Sequence, residues 1–156
     1  MFKKILVPLD GSRRAEKILP HVEDLARRSD KVQVVLLQVV EPIPVTMKLD
    51  FVPPLDQLEI DREFKNARAY LEGLKARFRK KGIQAHVHVL LGSVVATIVN
   101  LAAREKVDLL AFTSHGRSGL SAFFYGSVAA GVLHRTERPL LIVRSIQQRR
   151  SVEVRR

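Results

Sequence analysis

Ile5-Leu6-Val7-Pro8-Leu9-Asp10-Gly11-Ser12 is the stretch on which the reading of the fold turns. Its apolar run is short and lacks polar alternation, which is the pattern of a strand buried on both faces. Asp10-Gly11-Ser12 supplies turn residues that end it. The period then changes. Ala15, Ile18, Leu19, Val22, Leu25 and Ala26 recur every three or four residues and line one face of a helix. Ser12 stands where a helix cap is needed, which leaves the Asp10 carboxylate spare for another partner.

Working outward, the same alternation continues. Val32 to Val40 is a second near-continuous β-branched run. Glu41 to Leu55 carries Pro42, Pro44, Pro53 and Pro54, which forbid regular structure and predict an irregular excursion. Phe64, Ala67, Leu71, Leu74 and Phe78 return to helical spacing, and Gly82 is the stop signal after a basic last turn. Ile83, Ala85, Val87, Val89 and Leu91 alternate as a strand with one better-buried face. Gly92-Ser93 opens a third helix bearing Val95, Ile98, Val99 and Ala102. Val107 to Phe112 reads as the fourth strand, Ser127 to Thr136 as a short fourth helix, and Pro139 to Val143 as the last strand.

Apolar strands alternating with amphipathic helices call for an α/β fold in which helices cover both faces of a parallel sheet. Right-handed crossovers make a five-stranded, doubly wound sheet of order 3-2-1-4-5 the economical topology. The winding reverses between strands one and four, and ligands of open sheets bind beyond the carboxyl ends of the strands at that reversal. Asp10 and the loop after Phe112 are therefore expected to share one crevice.

The chain has 156 residues, one domain's worth, with 46% hydrophobic and 28% charged residues, the balance of an ordinary globule. No repeat or linker divides it. The expected division is a domain over 1–144 followed by a basic tail over 145–156. No run approaches the roughly 18 apolar residues of a membrane span. The apolar segment after Lys3-Lys4 is broken at Pro8 and Asp10, so no secretory signal is read and a cytoplasmic location is expected. Cysteine is absent, which excludes disulfides and thiolate metal sites. The net charge of +11 could serve an anionic partner, but the cations are dispersed over helix faces and the tail, as on a solvated surface.

Thr113-Ser114-His115-Gly116-Arg117-Ser118-Gly119 leave strand four, and Gly126-Ser127 precede the last helix. Glycines let a backbone approach an anion, and free amides at a helix start point at it. The same residues also populate ordinary turns. Asp10 has two readings as well. It can accept ribose hydroxyl hydrogen bonds, or it can close a turn.

The chain resembles the universal stress protein family over nearly its whole length, from Lys4-Ile5-Leu6-Val7-Pro8-Leu9-Asp10-Gly11-Ser12 through Leu90-Leu91-Gly92 to Pro139-Leu140-Leu141-Ile142-Val143. ATP-binding members carry a glycine, two residues, a glycine, nine residues, then glycine and serine or threonine. Gly116, Gly126 and Ser127 keep that spacing, and Thr113 replaces the first glycine. The resemblance implies a Rossmann-like fold of the adenine nucleotide alpha hydrolase type. It implies that Asp10 holds a ribose, that Pro8, Leu9 and Val39 border an adenine, and that Gly116, Gly126, Ser127 and Val128 surround phosphates, with Arg117 and Ser118 as neighbours. ATP, ADP or AMP is the implied ligand, with Mg able to accompany the phosphates. Thr113 can crowd that ligand with its methyl or hydrogen-bond through its hydroxyl. A homodimer joined through Leu140, Leu141, Ile142 and Val143 is also implied, and an apolar edge strand invites such pairing in any case.

Other chemistry is set aside. There is no GxxxxGK[ST] loop and no GxGxxG after strand one. His86 and His88 share a strand face but lack a third ligand, so no metal site is read. Ser114 and His115 lack an orienting carboxylate, so no catalytic residues are assigned and efficient turnover is not expected, at most slow ATP hydrolysis. The sequence thus points to a nucleotide-binding stress-response module. The alternatives are a nucleotide-independent dimeric scaffold, with the crevice blocked at Thr113, and a nucleic-acid-associated basic protein, disfavoured because the Arg-rich tail has no interleaved aromatics.

Overall fold

The computed structural model describes residues 2–28, 31–42, 54–115 and 126–145. The chain runs β1 (Lys4–Leu9), a 3-10 turn (Ala15–Ile18), α1 (Leu19–Arg27), β2 (Gln33–Val40), α2 (Pro54–Lys80), β3 (Gln84–Leu91), α3 (Val94–Arg104), β4 (Leu109–His115), α4 (Ser127–Arg135) and β5 (Leu140–Ser145). The five strands form one sheet in the order β3-β2-β1-β4-β5, and every pairing is parallel. This is the expected doubly wound topology.

Strand residues alternate between two cores, one on each face. Ile5, Val7 and Leu9 of β1 join Val34 and Leu36 of β2 beneath α1 and α2, where Val22, Leu71 and Phe78 are fully buried. Leu6, Val35, Leu37 and Leu110 face the other way, against Ile98 and Leu101 of α3 and Val132 of α4. Because both faces are covered, the central strands need apolar residues at every position, which is why they read as unbroken runs rather than as alternation.

Local signals act where the sequence puts them. Gly82 takes φ of +75° just beyond α2, where its amide donates to the Arg79 carbonyl and that of Ile83 to the Phe78 carbonyl. This pair of bonds closes a helix on a left-handed residue, a conformation that strains any residue carrying a Cβ.

Three expectations are corrected. The excursion expected over Glu41 to Leu55 ends earlier, because α2 begins at Pro54; proline at the first helical position lacks only an amide that would have had no partner anyway. Residues 43–53 lie outside the described residues. The fourth strand is Leu109–His115 rather than Val107 to Phe112. Thr113, Ser114 and His115 therefore do not leave the sheet: they pair with Val143, Arg144 and Ser145 of β5. At its other end, Asp108 is drawn out of the strand because its carboxylate accepts the Lys3 and Lys4 amides at 2.9 and 2.8 Å.

Candidate functional site

The carboxyl ends of β1 and β4 open onto a cavity of about 220 Å³. Pro8, Leu9 and Asp10 line it from β1, Thr113 and Ser114 from β4, and Gly126, Ser127 and Val128 from the start of α4. The winding of the sheet brings these segments together across more than a hundred residues of sequence. Phe112, Ala15, Val94, Ile98 and Ala129 complete an apolar wall. Gly116, Arg117 and Ser118 lie outside the described residues. Val39 lines a different cavity, of about 640 Å³, between the end of β2 and α2, with Gln38, Glu63 and Tyr70. Gly11 borders that second space while its neighbour Asp10 borders the first, so the turn after β1 separates the two.

Asp10 is not spare, contrary to the expectation. Its Oδ1 accepts the Ser12 amide at 2.9 Å, which ties the carboxylate into the turn that follows the strand. Ser12 Oγ accepts the Ala15 amide at 3.1 Å, which serves the start of the 3-10 turn; α1 itself has Ile18 at its N-cap and no side-chain cap, so Ser12 does not cap that helix as expected. Gly11 between them has φ of +80°, a value that favours glycine and lets the chain reverse within two residues. Asp10 itself stays exposed at the cavity mouth.

In the same lining, α4 begins at Ser127 behind the N-cap Gly126, and no side chain caps its first turn and no acidic residue lies in it. Amides at such a terminus carry partial positive charge. The cavity thus has a carboxylate at its mouth, helix-terminal amides in its lining and apolar walls.

Thr113 is 9% exposed, and its Oγ1 donates to the Ala15 carbonyl at 3.2 Å. Ser114 is more buried still, at 3% exposure, and shares the cavity wall. The sequence reading passed over Ser114, Val94 and Ile98 as ligand contacts. Val94 and Ile98 carry only the helical spacing that every core-facing residue of α3 carries, so nothing local marks them. Ser114 was weighed only as a nucleophile, because its place in a strand beside the cavity requires the longer β4.

Away from the cavity, Tyr70 OH donates to Glu16 Oε1 at 3.1 Å, and Arg77 lies 3.6 Å from Glu16 Oε2. Burial, and then the negative charge of Glu16, hold the Tyr70 hydroxyl above its usual pKa. His86 and His88 do share a face of β3, and His88 Nε2 lies 3.8 Å from Glu105 Oε1. Burial pushes His88 below its usual range. Among the described residues no three His, Asp or Glu side chains are grouped to hold a metal, and no helix is long and apolar enough to cross a membrane.

Comparison with known proteins places this architecture. Universal stress protein MJ0577 of Methanocaldococcus jannaschii is 30% identical over 156 aligned positions, spanning 92% of this chain and 96% of that one. The solved structure of MJ0577 superposes with a TM-score of 0.79 at 26% identity, covering 94% and 99% of the two chains. A universal stress protein in complex with cAMP has the same fold at a TM-score of 0.68 and 22% identity, covering 92% and 97%. A family member from Arabidopsis thaliana with AMP bound gives 0.66 at 17% identity, with 92% of each chain covered. The profile of the universal stress protein family matches residues 1–144, and with the sheet order and the relatives in agreement, this chain belongs to that family.

Proposed function

We propose that the protein is an adenine-nucleotide-binding module of the stress-response type, acting through contacts with a second copy or a protein partner. One observation carries the reading: Asp10 and Gly126-Ser127 line the same cavity. A nucleoside phosphate is apolar and flat at its base, hydroxyl-rich at its centre and anionic at its end, and this cavity offers one feature for each part: an apolar wall, the Asp10 carboxylate and the amides at the start of α4. Structures of relatives with cAMP and with AMP support the ligand class.

In this reading Asp10 accepts ribose hydroxyls with the carboxylate oxygens while Ser12 holds its orientation. Pro8 and Leu9 border the base, and Gly126, Ser127 and Val128 meet the phosphates, which Mg can accompany; Val39, which lines the separate cavity beside α2, is not placed against the base. Gly116, Arg117 and Ser118 are proposed to join them. A helix terminus by itself adds only about 0.3–1 kcal/mol for an anion, so the ribose contacts and the apolar wall must supply most of the affinity. No general base is assigned, and turnover is expected to be slow.

Calorimetric titration with ATP, ADP, AMP and cAMP tests this. Saturable binding below 1 mM is expected, and Asp10→Ala should weaken it about 10- to 100-fold, since hydrogen bonds to a charged group are each worth about 1.5–3 kcal/mol. No heat of binding at millimolar ATP would remove the proposal. A second reading is a nucleotide-independent scaffold in which Thr113, whose side chain lines the cavity, blocks the crevice. On that reading Thr113→Gly creates or strengthens binding.

A further inference from the structure

The structure assigns a role to Thr113: we propose that it is a positioning residue, a strut that holds the Asp10 turn against β4, rather than a plug in the crevice. The β1–β4 register extends only over Ile5–Leu109 and Leu6–Leu110, so the two strands part before they reach the cavity. A carboxylate at the end of β1 is therefore not held to β4 by the sheet ladder.

A relay of three hydrogen bonds spans that gap. Thr113 Oγ1 donates to the Ala15 carbonyl at 3.2 Å, the Ala15 amide donates to Ser12 Oγ at 3.1 Å, and the Ser12 amide donates to Asp10 Oδ1 at 2.9 Å. The side chain at position 113 projects to the face of Ala111 and Leu109, which pack in the core beneath α1, and so toward the 3-10 turn. The hydrogen that the hydroxyl can donate is thereby committed to the protein. The same 3-10 turn is tied at a second point, where Lys17 Nζ meets Ser145 Oγ at 3.1 Å.

Glycine at position 113 could not make this bond. Gly11, immediately after Asp10, leaves the turn free to vary, and a strut that narrows its range lowers the ordering cost on binding. The inference rests on the nucleotide reading for its ligand, with Asp10 as the ribose acceptor. It also has a consequence in the ligand-free protein.

Thr113→Val keeps the shape and removes the hydroxyl; Thr113→Ser keeps the hydroxyl. Affinities for ATP and for 2′,3′-dideoxy-ATP are measured in both variants and wild type, along with amide exchange at Ser12, Ala15 and the core residue Leu36 without ligand. Thr113→Val should bind ATP about 3- to 10-fold more weakly, the worth of one hydrogen bond, while dideoxy-ATP affinity barely changes, so the preference for the ribose hydroxyls narrows. Thr113→Ser should restore that preference. Ser12 and Ala15 amides should exchange faster in Thr113→Val while Leu36 keeps its protection, which separates loss of the strut from loss of the fold. Thr113→Gly should weaken binding rather than strengthen it. Wild-type preference and wild-type exchange at Ser12 and Ala15 in Thr113→Val would overturn the proposal. If wild type binds no ATP, the nucleotide reading fails, and the exchange rates alone decide whether Thr113 positions the turn.

Discussion

Single residues decide where the ends of elements are pinned, and Asp108 is the clearest case. Its side chain accepts the Lys3 and Lys4 amides at the start of β1, so it joins the entry of β4 to that of β1. Those two bonds, the Lys3 amide foremost, hold its carboxyl below the ordinary aspartate value of 3.8. A carboxyl whose pKa is lower folded than unfolded stabilises the protein above about pH 3.8; that stabilisation is lost as pH falls through the folded value. Asp108→Asn should therefore lower Tm at pH 7, by about 2–4 °C if the screened contribution is roughly 1 kcal/mol. The difference should vanish in acid, below the folded pKa. Equal loss at pH 7 and pH 2 in calorimetric scans would show that the ionised form is not what matters.

At the scale of elements, the close approach of α3 to α4 depends on Gly131. A Cβ built there would lie 2.8 Å from Val95 Cγ2 and 3.2 Å from Cγ1, and valine has few rotamers with which to yield. Alanine is intrinsically the better helix former by about 1 kcal/mol, yet overpacking costs about 1–3 kcal/mol, so contact wins by a small margin. Gly131→Ala should destabilise the protein by about 1 kcal/mol, and adding Val95→Ala should recover part of the loss by removing the clash. Denaturant unfolding of the two single variants and the double variant gives the coupling; strict additivity would mean that the helices simply move apart. Because α4 also presents Gly126-Ser127 to the cavity, a displaced α4 would register as weaker nucleotide binding as well.

For the molecule as a whole, β5 is the strand that bears on assembly. It lies at the sheet edge beside β4, and its four apolar side chains are only half-buried. Leu141 and Val143 pack on the core under α1 and α2, Leu140 and Ile142 on the other. The side chains are thus already committed to the two cores, and what the edge offers a second copy is its unpaired backbone plus residual apolar surface. A homodimer through this edge is expected, with light scattering giving twice the mass of the 156-residue chain at micromolar concentration. A single-chain mass at 100 μM would set the dimer aside without touching the cavity.

Much of the architecture could be read from residue order alone. Burial on two faces requires unbroken apolar strands, burial on one requires helical spacing, and Gly82 marks a helix end, so Ile5 to Leu9, Val22, Leu71 and Phe78 announce their places locally. That Asp10 and the β4–α4 connection would share one cavity was legible too, since the topology puts the ends of β1 and β4 at one rim. The extent of β4 was not, because Thr113 to His115 look like a loop until β5 offers them backbone partners. Nor was the use made of Thr113. A hydrogen bond between residues 98 positions apart leaves no periodic trace in a chain, and only packing selects which of a hydroxyl's possible acceptors it meets.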